Sequence, residues 1–129
     1  MDFPIRIYYE DTDAGGVVYH ANYLKYFERA RTEFLRCLGF SQSVFLEQKI
    51  AFVVKKIDID YQKPAFLDDL LTVKTQISLL KKTSVVFEQK LYRNEECLTQ
   101  ATVLVVCVDL MKMKPVMMPS HILQALQAV

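Results

Sequence analysis

The stretch EDTDAGGVVYHANY, residues 10–23, places three carboxylates and two glycines ahead of a histidine and a long amphipathic segment. A carboxylate can act as a nucleophile or general base, and it can equally cap a turn or a helix. On spacing alone, Asp13 is read as the cap of a nearby turn. His20 has three readings: a backbone donor at a helix start, a side chain that titrates near neutrality and assists an acid or lines an acyl pocket, or a plain helix-start residue. Glu10 and Asp11 are read as strand-end residues or supports of the site.

The following segment is predicted to form a helix from Asn22 to Leu38. Its bulky uncharged side chains cover an arc of about 180°, and Gly39 stands where a left-handed C-terminal cap is expected. An apolar half of the circumference indicates a partner that wraps the helix, such as a curved sheet. Arg31 falls inside the apolar arc, so we expect it to form a structural ion pair with a carboxylate rather than to contact a substrate.

The rest of the chain reads as a short helix, a series of strands and a terminal helix. Ser41 is expected to cap the short helix, and short connections make the later strands antiparallel neighbours. The last long strand is apolar on both faces from Val103 to Val108, so one face can meet the helix and the other a second subunit. The predicted strands are Phe3–Glu10, 52–61 with a bulge at Lys55–Lys56, Leu70–Leu80, Thr83–Arg93 and Leu98–Leu110, followed by a helix in 119–129 with Pro119 near its start. Together they predict a single α+β domain over residues 1–129.

Composition and charge limit the classes of function that the sequence favours. Lys and Arg total 16 against 15 Asp and Glu, so no global field favours nucleic acid or an anionic membrane surface. The first residues lack the pattern of a signal peptide, and the longest strongly apolar run, 103–108, is too short for a membrane helix. These features predict a cytoplasmic protein. The odd number of cysteines, at Cys37, Cys97 and Cys107, predicts buried free thiols rather than disulfides or a zinc site.

The segment YYEDTDAGGVVYHANYLKYFERAR, residues 8–31, resembles the signature of the acyl-CoA thioesterases of the 4-hydroxybenzoyl-CoA thioesterase class. Within that class it is most similar to the YbgC family, which is often encoded beside the Tol-Pal envelope system. The strand order, the Asp68–Asp69 turn and the chain length extend the resemblance over most of the protein. It implies a hot-dog fold, in which a five-stranded antiparallel sheet wraps around one long central helix.

The resemblance also implies particular roles for individual residues. The second acid of the Asp-x-Asp element, here Asp13, attacks the thioester or activates water, and the two alternatives stay open. The position seven residues later, here His20, supplies a backbone N–H to the thioester carbonyl. Basic residues in the segment Lys81-Lys82-Thr83-Ser84 hold the phosphates of coenzyme A. The predicted substrate or coenzyme A contacts are Gly16, Tyr23, Lys81, Lys82 and Ser84.

The implied reaction is hydrolysis of a short- or medium-chain acyl-CoA to the free acid and coenzyme A, without a metal or organic cofactor. The implied assembly is a homotetramer built as a dimer of dimers, and acyl carrier protein is a second candidate partner. Two alternatives are retained. One is a hot-dog hydratase or dehydratase, which does not cleave the thioester, and the other is a non-catalytic acyl-binding or scaffold protein of the cell envelope.

Overall fold

The computed structural model describes residues 1–129. Its strands are β1 (Asp2–Arg6), β2 (Ile50–Tyr61), β3 (Leu70–Leu80), β4 (Ser84–Arg93), β5 (Glu96–Asp109) and the two-residue β6 (Lys114–Pro115), and its helices are α1 (Asn22–Cys37), α2 (Gln42–Glu47) and α3 (Ser120–Gln127). None of these helices is long and apolar enough to cross a membrane bilayer.

The five main strands form one antiparallel sheet in the order β1-β3-β4-β5-β2, and β6 adds a short pairing to the end of β5. Strands β3, β4 and β5 are consecutive neighbours, as their short connections predicted. The long strand β2 forms one edge of the sheet, and β1 forms the other. A single core of 24 buried residues joins α1 to one face of this sheet, which confirms the predicted α+β architecture.

The helix ends and the bulge in β2 follow from the chemistry of the residues at those positions. Gly39 adopts φ +94° just beyond α1, and this left-handed conformation ends the helix where a C-terminal cap was predicted. The Ser41 hydroxyl accepts a hydrogen bond of 3.4 Å from the backbone N–H of Val44 and so caps α2. The pairing of β2 with β5 shifts register between Val54 and Lys56, which confirms the predicted bulge.

The first strand is shorter than predicted, because it ends at Arg6 and not at Glu10. Ile7 still pairs with the turn before β3, where its backbone donates to Asp69 and accepts from Asp68. The Asp11 carboxylate then accepts the backbone N–H of Tyr8 at 2.8 Å, and residues 9–11 close into a 3₁₀ turn. A local side-chain bond therefore replaces the strand pairing that the alternation predicted.

Two further sequence predictions were wrong. Cys37, the last residue of α1, is exposed, whereas Cys107 is buried and Cys97 is half-buried; all three are free thiols, as predicted. Arg31 is buried, but it has no ion-pair partner, and its guanidinium donates instead to the side-chain amide of Gln89 at 3.0 Å. The sequence could not reveal this partner, because Gln89 lies 58 residues away.

Candidate active site

Asp13 lies at the start of a tight turn in a short hairpin. Thr12 pairs with Val18 across the hairpin, and the backbone N–H of Gly16 donates to the Asp13 carbonyl at 3.0 Å. One oxygen of the exposed Asp13 carboxylate, Oδ1, accepts the N–H of Gly15 at 2.8 Å. The second oxygen has no protein donor. The side chain is therefore oriented by its own turn and still presents a free oxygen to solvent.

The glycines of this turn have separate reasons to be glycine. Gly16 has φ +82°, which other residues adopt only under strain. A side chain at Gly15 would place its Cβ 3.2 Å from the Asp13 carboxylate oxygen, so it would crowd the bond that orients the acid. Gly16 was predicted as a substrate contact, and its structural role is to shape the turn that carries Asp13.

The backbone around His20 is anchored on both sides, yet its own N–H is unpaired. On one side, the N–H of Tyr19 donates to the Asp11 carbonyl at 2.9 Å. On the other, the His20 carbonyl accepts the Tyr61 hydroxyl at 2.9 Å. No acceptor lies within hydrogen-bond distance of the His20 N–H. His20 comes two residues before the first residue of α1, so this amide lies beside the unpaired donors and the positive dipole end at the start of the helix.

A clamp of hydrogen bonds ties the acid-bearing hairpin to the helix. The Asn22 side chain donates to the Asp11 carbonyl at 2.9 Å, and the same carbonyl receives the Tyr19 N–H. Asp11 had been read only as a strand-end or supporting residue. Its carbonyl ties the two ends of the hairpin together, and its carboxylate closes the 3₁₀ turn that leads into it. The clamp therefore fixes where Asp13 lies relative to the start of α1.

His20 and Tyr23 line a common cleft of about 270 Å³ at the start of α1. Tyr61 completes its aromatic wall, with ring centroids 5.4 Å from Tyr23 and 6.3 Å from His20 in edge-to-face arrangements. The Tyr23 ring is almost fully buried, and its hydroxyl accepts the N–H of Ala65 at 3.2 Å. Burial raises the pKa of the Tyr23 phenol, and it also raises the pKa of Tyr61. Asp13 is not part of this cleft wall; it lies on the hairpin arm opposite Val17.

Charged side chains at the same end of the sheet are paired with one another. Arg93 contacts the carboxylates of Asp69 at 2.8 Å and Glu96 at 2.7 Å, and Lys63, which borders the cleft, contacts Glu96 at 2.8 Å. The hydrogen bonds from Lys63 and Arg93 lower the pKa of Glu96. The hydrogen bonds that Arg93 donates to the carboxylates of Asp69 and Glu96 raise the pKa of Arg93. These cations are therefore neutralised within the chain.

The predicted phosphate-binding residues lie at the opposite end of the sheet. Lys81 and Lys82 are exposed in the connection between β3 and β4, and Ser84 is the half-buried first residue of β4. The cleft adjoins the other ends of these strands, and the 11 residues of β3 correspond to about 35 Å of strand. One chain therefore brings His20 and Tyr23 together with the Asp13 hairpin, but it does not bring the lysines to them.

Two residues at the site were absent from the predicted set. Tyr61 lies 41 residues from the His20 carbonyl that it binds, at the end of β2, and no local pattern marks it. Asn22 is the first residue of α1, and its position at a helix start was the one available signal. No group of three His, Cys, Asp or Glu side chains is placed to hold a metal ion.

The fold and the site together define a class of protein. An antiparallel sheet packed around one long helix, with an acid-bearing hairpin just before that helix, is the hot-dog architecture that the sequence predicted. The Thioesterase-like superfamily model matches residues 8–126, and the chain belongs to this family.

Individual relatives are similar over nearly their whole length. The acyl-CoA thioesterase YbgC of Haemophilus influenzae is 60% identical over 123 residues, which cover 95% of this chain and 90% of the relative. The acyl-CoA thioester hydrolase YbgC of Escherichia coli is 52% identical over 121 residues, with 93% and 90% covered. The crystal structure of a probable thioesterase from Bartonella henselae superposes with a TM-score of 0.87 at 41% identity, covering 92% of this chain and 98% of that one.

Proposed function

We propose that this protein is an acyl-CoA thioesterase in which Asp13 acts on the thioester and the backbone N–H of His20 binds its carbonyl oxygen. The observation that carries the proposal is the His20 amide, which is unpaired although the groups on both sides of it are anchored. A donor that is held in place before the reaction stabilises developing negative charge without reorganising. The family and its relatives place thioester hydrolysis first among the reactions this geometry could serve.

Asp13 can serve in either of two balanced schemes. As a general base, its free oxygen takes a proton from water while the water oxygen attacks the acyl carbon. The carbonyl electron pair moves onto the oxygen beside the His20 N–H, and collapse of this intermediate breaks the C–S bond. The coenzyme A thiolate leaves and recovers the proton. As a nucleophile, Asp13 attacks the carbon itself, expels the thiolate and forms a mixed anhydride that water then hydrolyses. Both schemes need only water, so we propose no metal or organic cofactor.

The substrate is proposed to be a short- or medium-chain acyl-CoA, because the sequence resembles the YbgC family most closely. Acyl carrier protein is an alternative carrier of the same thioester. The cytoplasmic location is proposed from the sequence features described above, and the functional link to Tol-Pal rests on the family resemblance alone.

A second copy of the chain is proposed to complete the site, in a dimer that pairs further into a tetramer. Lys81 and Lys82 have no ion-pair partner and lie far from His20 within one chain, so they would reach a shared coenzyme A only from a neighbouring subunit. An apolar row of Leu79, Val86 and Leu104 crosses three strands on the face of the sheet away from α1. Leu79 is 50% exposed, which leaves this face available for association. Sedimentation should show tetramers, and a stable, fully active monomer would refute the assembly.

The central experiment is an acyl-CoA chain-length panel on the wild type, Asp13→Asn and Glu10→Gln. Release of coenzyme A is followed with a thiol reagent. We expect Asp13→Asn to keep the fold and lose activity about 100-fold or more, because the amide neither attacks nor accepts the proton. Glu10→Gln is the matched control, since Glu10 is exposed and its side chain makes no hydrogen bond. Full activity of Asp13→Asn would reject the proposed role.

The same panel separates the alternatives. A hydratase or dehydratase would change the acyl group without releasing a thiol, and an acyl-binding scaffold would bind acyl-CoA without turnover at any chain length. Single-turnover hydrolysis in oxygen-18 water then distinguishes the two schemes for Asp13. Label that enters its carboxylate would reject the pure general-base scheme, because only a covalent intermediate on Asp13 gives water access to that carbon.

A further inference from the structure

A second cavity, separate from the cleft at His20, lies between the middle of α1 and the sheet. It has a volume of about 290 Å³, and seven of its eleven lining residues are hydrophobic. Its floor is formed by side chains of β2, β4 and β5, including Phe52, Val85 and Val105, and Leu126 of α3 closes one side. The cavity approaches the size of a small-molecule site, which begins at roughly 300 Å³.

The one cation in this cavity is the buried guanidinium of Arg31. Only 8% of the residue is exposed, and its Nη1 donates to the Gln89 side-chain oxygen at 3.0 Å. Nε and Nη2 have no acceptor in the protein. Neither atom is among the fully buried polar atoms that lack a hydrogen-bond partner, so both are partly accessible. Because Arg31 lines the cavity, these donors face it. The cavity therefore presents a positive, donor-rich group to whatever occupies it.

The orientation of Gln89 is fixed, so it can offer Arg31 only a neutral partner. Its side-chain nitrogen donates to the Phe27 carbonyl at 2.9 Å and to the Thr75 hydroxyl at 3.0 Å. Both amide hydrogens are thus used, and the oxygen faces Arg31. A neutral amide leaves the positive charge uncompensated, and burying an unpaired charge is costly.

No carboxylate of the chain neutralises Arg31. The nearest acid on its own helix, Glu28, borders the cavity but is exposed and lies beyond ion-pairing distance, and its carboxylate accepts the Thr32 hydroxyl at 3.0 Å. Burial lowers the pKa of Arg31, and the charge of Glu28 opposes that shift. The compensating anion is therefore missing from the chain itself.

We propose that this cavity binds an aliphatic monocarboxylate, with the carboxylate on Arg31 and the apolar tail against Phe52, Val85 and Val105. A carboxylate accepts two N–H donors of a guanidinium at once, and this pairing is stronger than a bond to a neutral amide. An acid of medium length matches the volume, since each methylene is about as large as a water molecule, whose share of liquid is roughly 30 Å³. Nine helical residues, about 14 Å, separate Arg31 from Asn22 at the start of α1, so this site is distinct from the catalytic cleft.

The proposal concerns binding, so it is tested without turnover. Octanoate is titrated into the protein while the methyl resonances of Val85 and Val105 are followed by NMR. Val18 lines the cleft at His20 and serves as an internal reporter of binding there. We expect saturable shifts at Val85 and Val105, and much weaker shifts with octanol, which has the same tail without the charge.

The matched variants are Arg31→Met and Arg31→Lys. Arg31→Met should weaken octanoate at the Val85 and Val105 methyls about tenfold or more, whereas Arg31→Lys should recover part of the affinity. Neither variant should change the octanoate-induced methyl shifts at Val18. Unchanged affinity in Arg31→Met, or octanol binding as tightly as octanoate, would overturn the proposal.

A further variant keeps the test decisive if Arg31→Met fails to fold. Val54→Trp places a large side chain at the cavity from the edge strand β2, where Val54 is 45% exposed and does not belong to the buried core. It should abolish the shifts at Val85 and Val105 and preserve any at Val18. Undiminished binding in this variant, or no octanoate binding to the wild type, would refute the site. A free carboxylic acid is also the class of product expected from the proposed thioester hydrolysis. Only the functional meaning of carboxylate binding rests on that proposed function, since the binding itself is tested without turnover.

Discussion

The two ends of the sheet differ in how they treat charge. At the end that adjoins the cleft, Lys63 and Arg93 are both held by carboxylates at 2.7–2.8 Å. At the other end, Lys81 and Lys82 are exposed and have no ion-pair partner. In the proposed mechanism, the cleft would therefore stabilise the reacting carbonyl with a backbone amide and not with a charged side chain. Cations free to bind an anionic ligand occur where the chain has no reacting groups.

This difference supports the coenzyme A-binding role proposed for the lysines, which a second subunit would complete. A strongly hydrated, flexible ammonium binds phosphate by charge, and it loses much of that attraction as salt rises. A backbone amide at a helix start acts only on an acceptor atom within hydrogen-bond distance. The first kind of group would set how tightly coenzyme A is held, and the second would set the rate of the chemical step.

Among the variants that test this comparison between the two ends of the sheet, the largest effect is expected from removing the free cations. Lys81→Ala combined with Lys82→Ala should raise KM for acyl-CoA about tenfold to a hundredfold and leave kcat unchanged. The difference from wild type should shrink at high salt and be absent for an acyl-pantetheine, which lacks the nucleotide phosphates. The control is Lys55→Ala with Lys56→Ala, the exposed pair at the bulge of β2. Equal effects of the two double variants would show that position does not matter.

An intermediate effect comes from the two glycines with positive φ. Gly16→Ala and Gly39→Ala both force a side chain into the left-handed region, and nothing lies within 4 Å of an added Cβ at either position. Each should therefore lower the free energy of unfolding by about 1 kcal/mol. Only Gly16→Ala should also lower kcat, by about tenfold, because its turn orients Asp13. Matched denaturant curves and kinetics test this, and a comparable loss of kcat in Gly39→Ala would contradict the role of the turn.

The smallest effect is expected at Tyr26, whose buried hydroxyl has no hydrogen-bond partner. Tyr26→Phe removes this group, so stability at neutral pH should be unchanged or higher by about 1 kcal/mol. Burial, with a smaller effect of the nearby Asp11 carboxylate, raises the pKa of Tyr26 above its usual 10.0. A raised pKa contributes stability that is present below pH 10 and is lost as pH rises above it. Wild type should thus lose more stability than Tyr26→Phe above pH 10 in urea unfolding; parallel losses would refute this assignment.

Features set by neighbouring residues were predictable from the sequence. The helix from Asn22, its end at Gly39, the Ser41 cap and the bulge beside Lys56 all depend on contacts within a few residues. The exception was β1, where alternation predicted a strand to Glu10. There the Asp11 carboxylate accepts the backbone N–H of Tyr8. This hydrogen bond depends on neighbouring residues just as the alternation does, and it replaces the strand pairing that the alternation predicted.

The site was predictable only in part for the same reason. Asp13 and His20 belong to one continuous segment, so a motif could mark them. Tyr61 meets the His20 carbonyl across 41 residues, and Arg31 meets Gln89 across 58. The periodicity of a sequence does not identify hydrogen-bond partners that are so far apart along the chain. The prediction of an ion pair for Arg31 was wrong because burial requires a partner without specifying that the partner be charged.

By itself, the sequence determined the elements, the wrapped helix and the segment that carries the acid and the helix-start amide, because these follow from side-chain periodicity and local hydrogen bonding. The tertiary structure decided which polar groups are satisfied. It left the His20 amide free between two anchored neighbours, paired the cations beside the cleft, and placed Arg31 before an apolar cavity without a counter-charge. These outcomes depend on how strands distant in sequence meet, and that arrangement is fixed only when the sheet closes over α1.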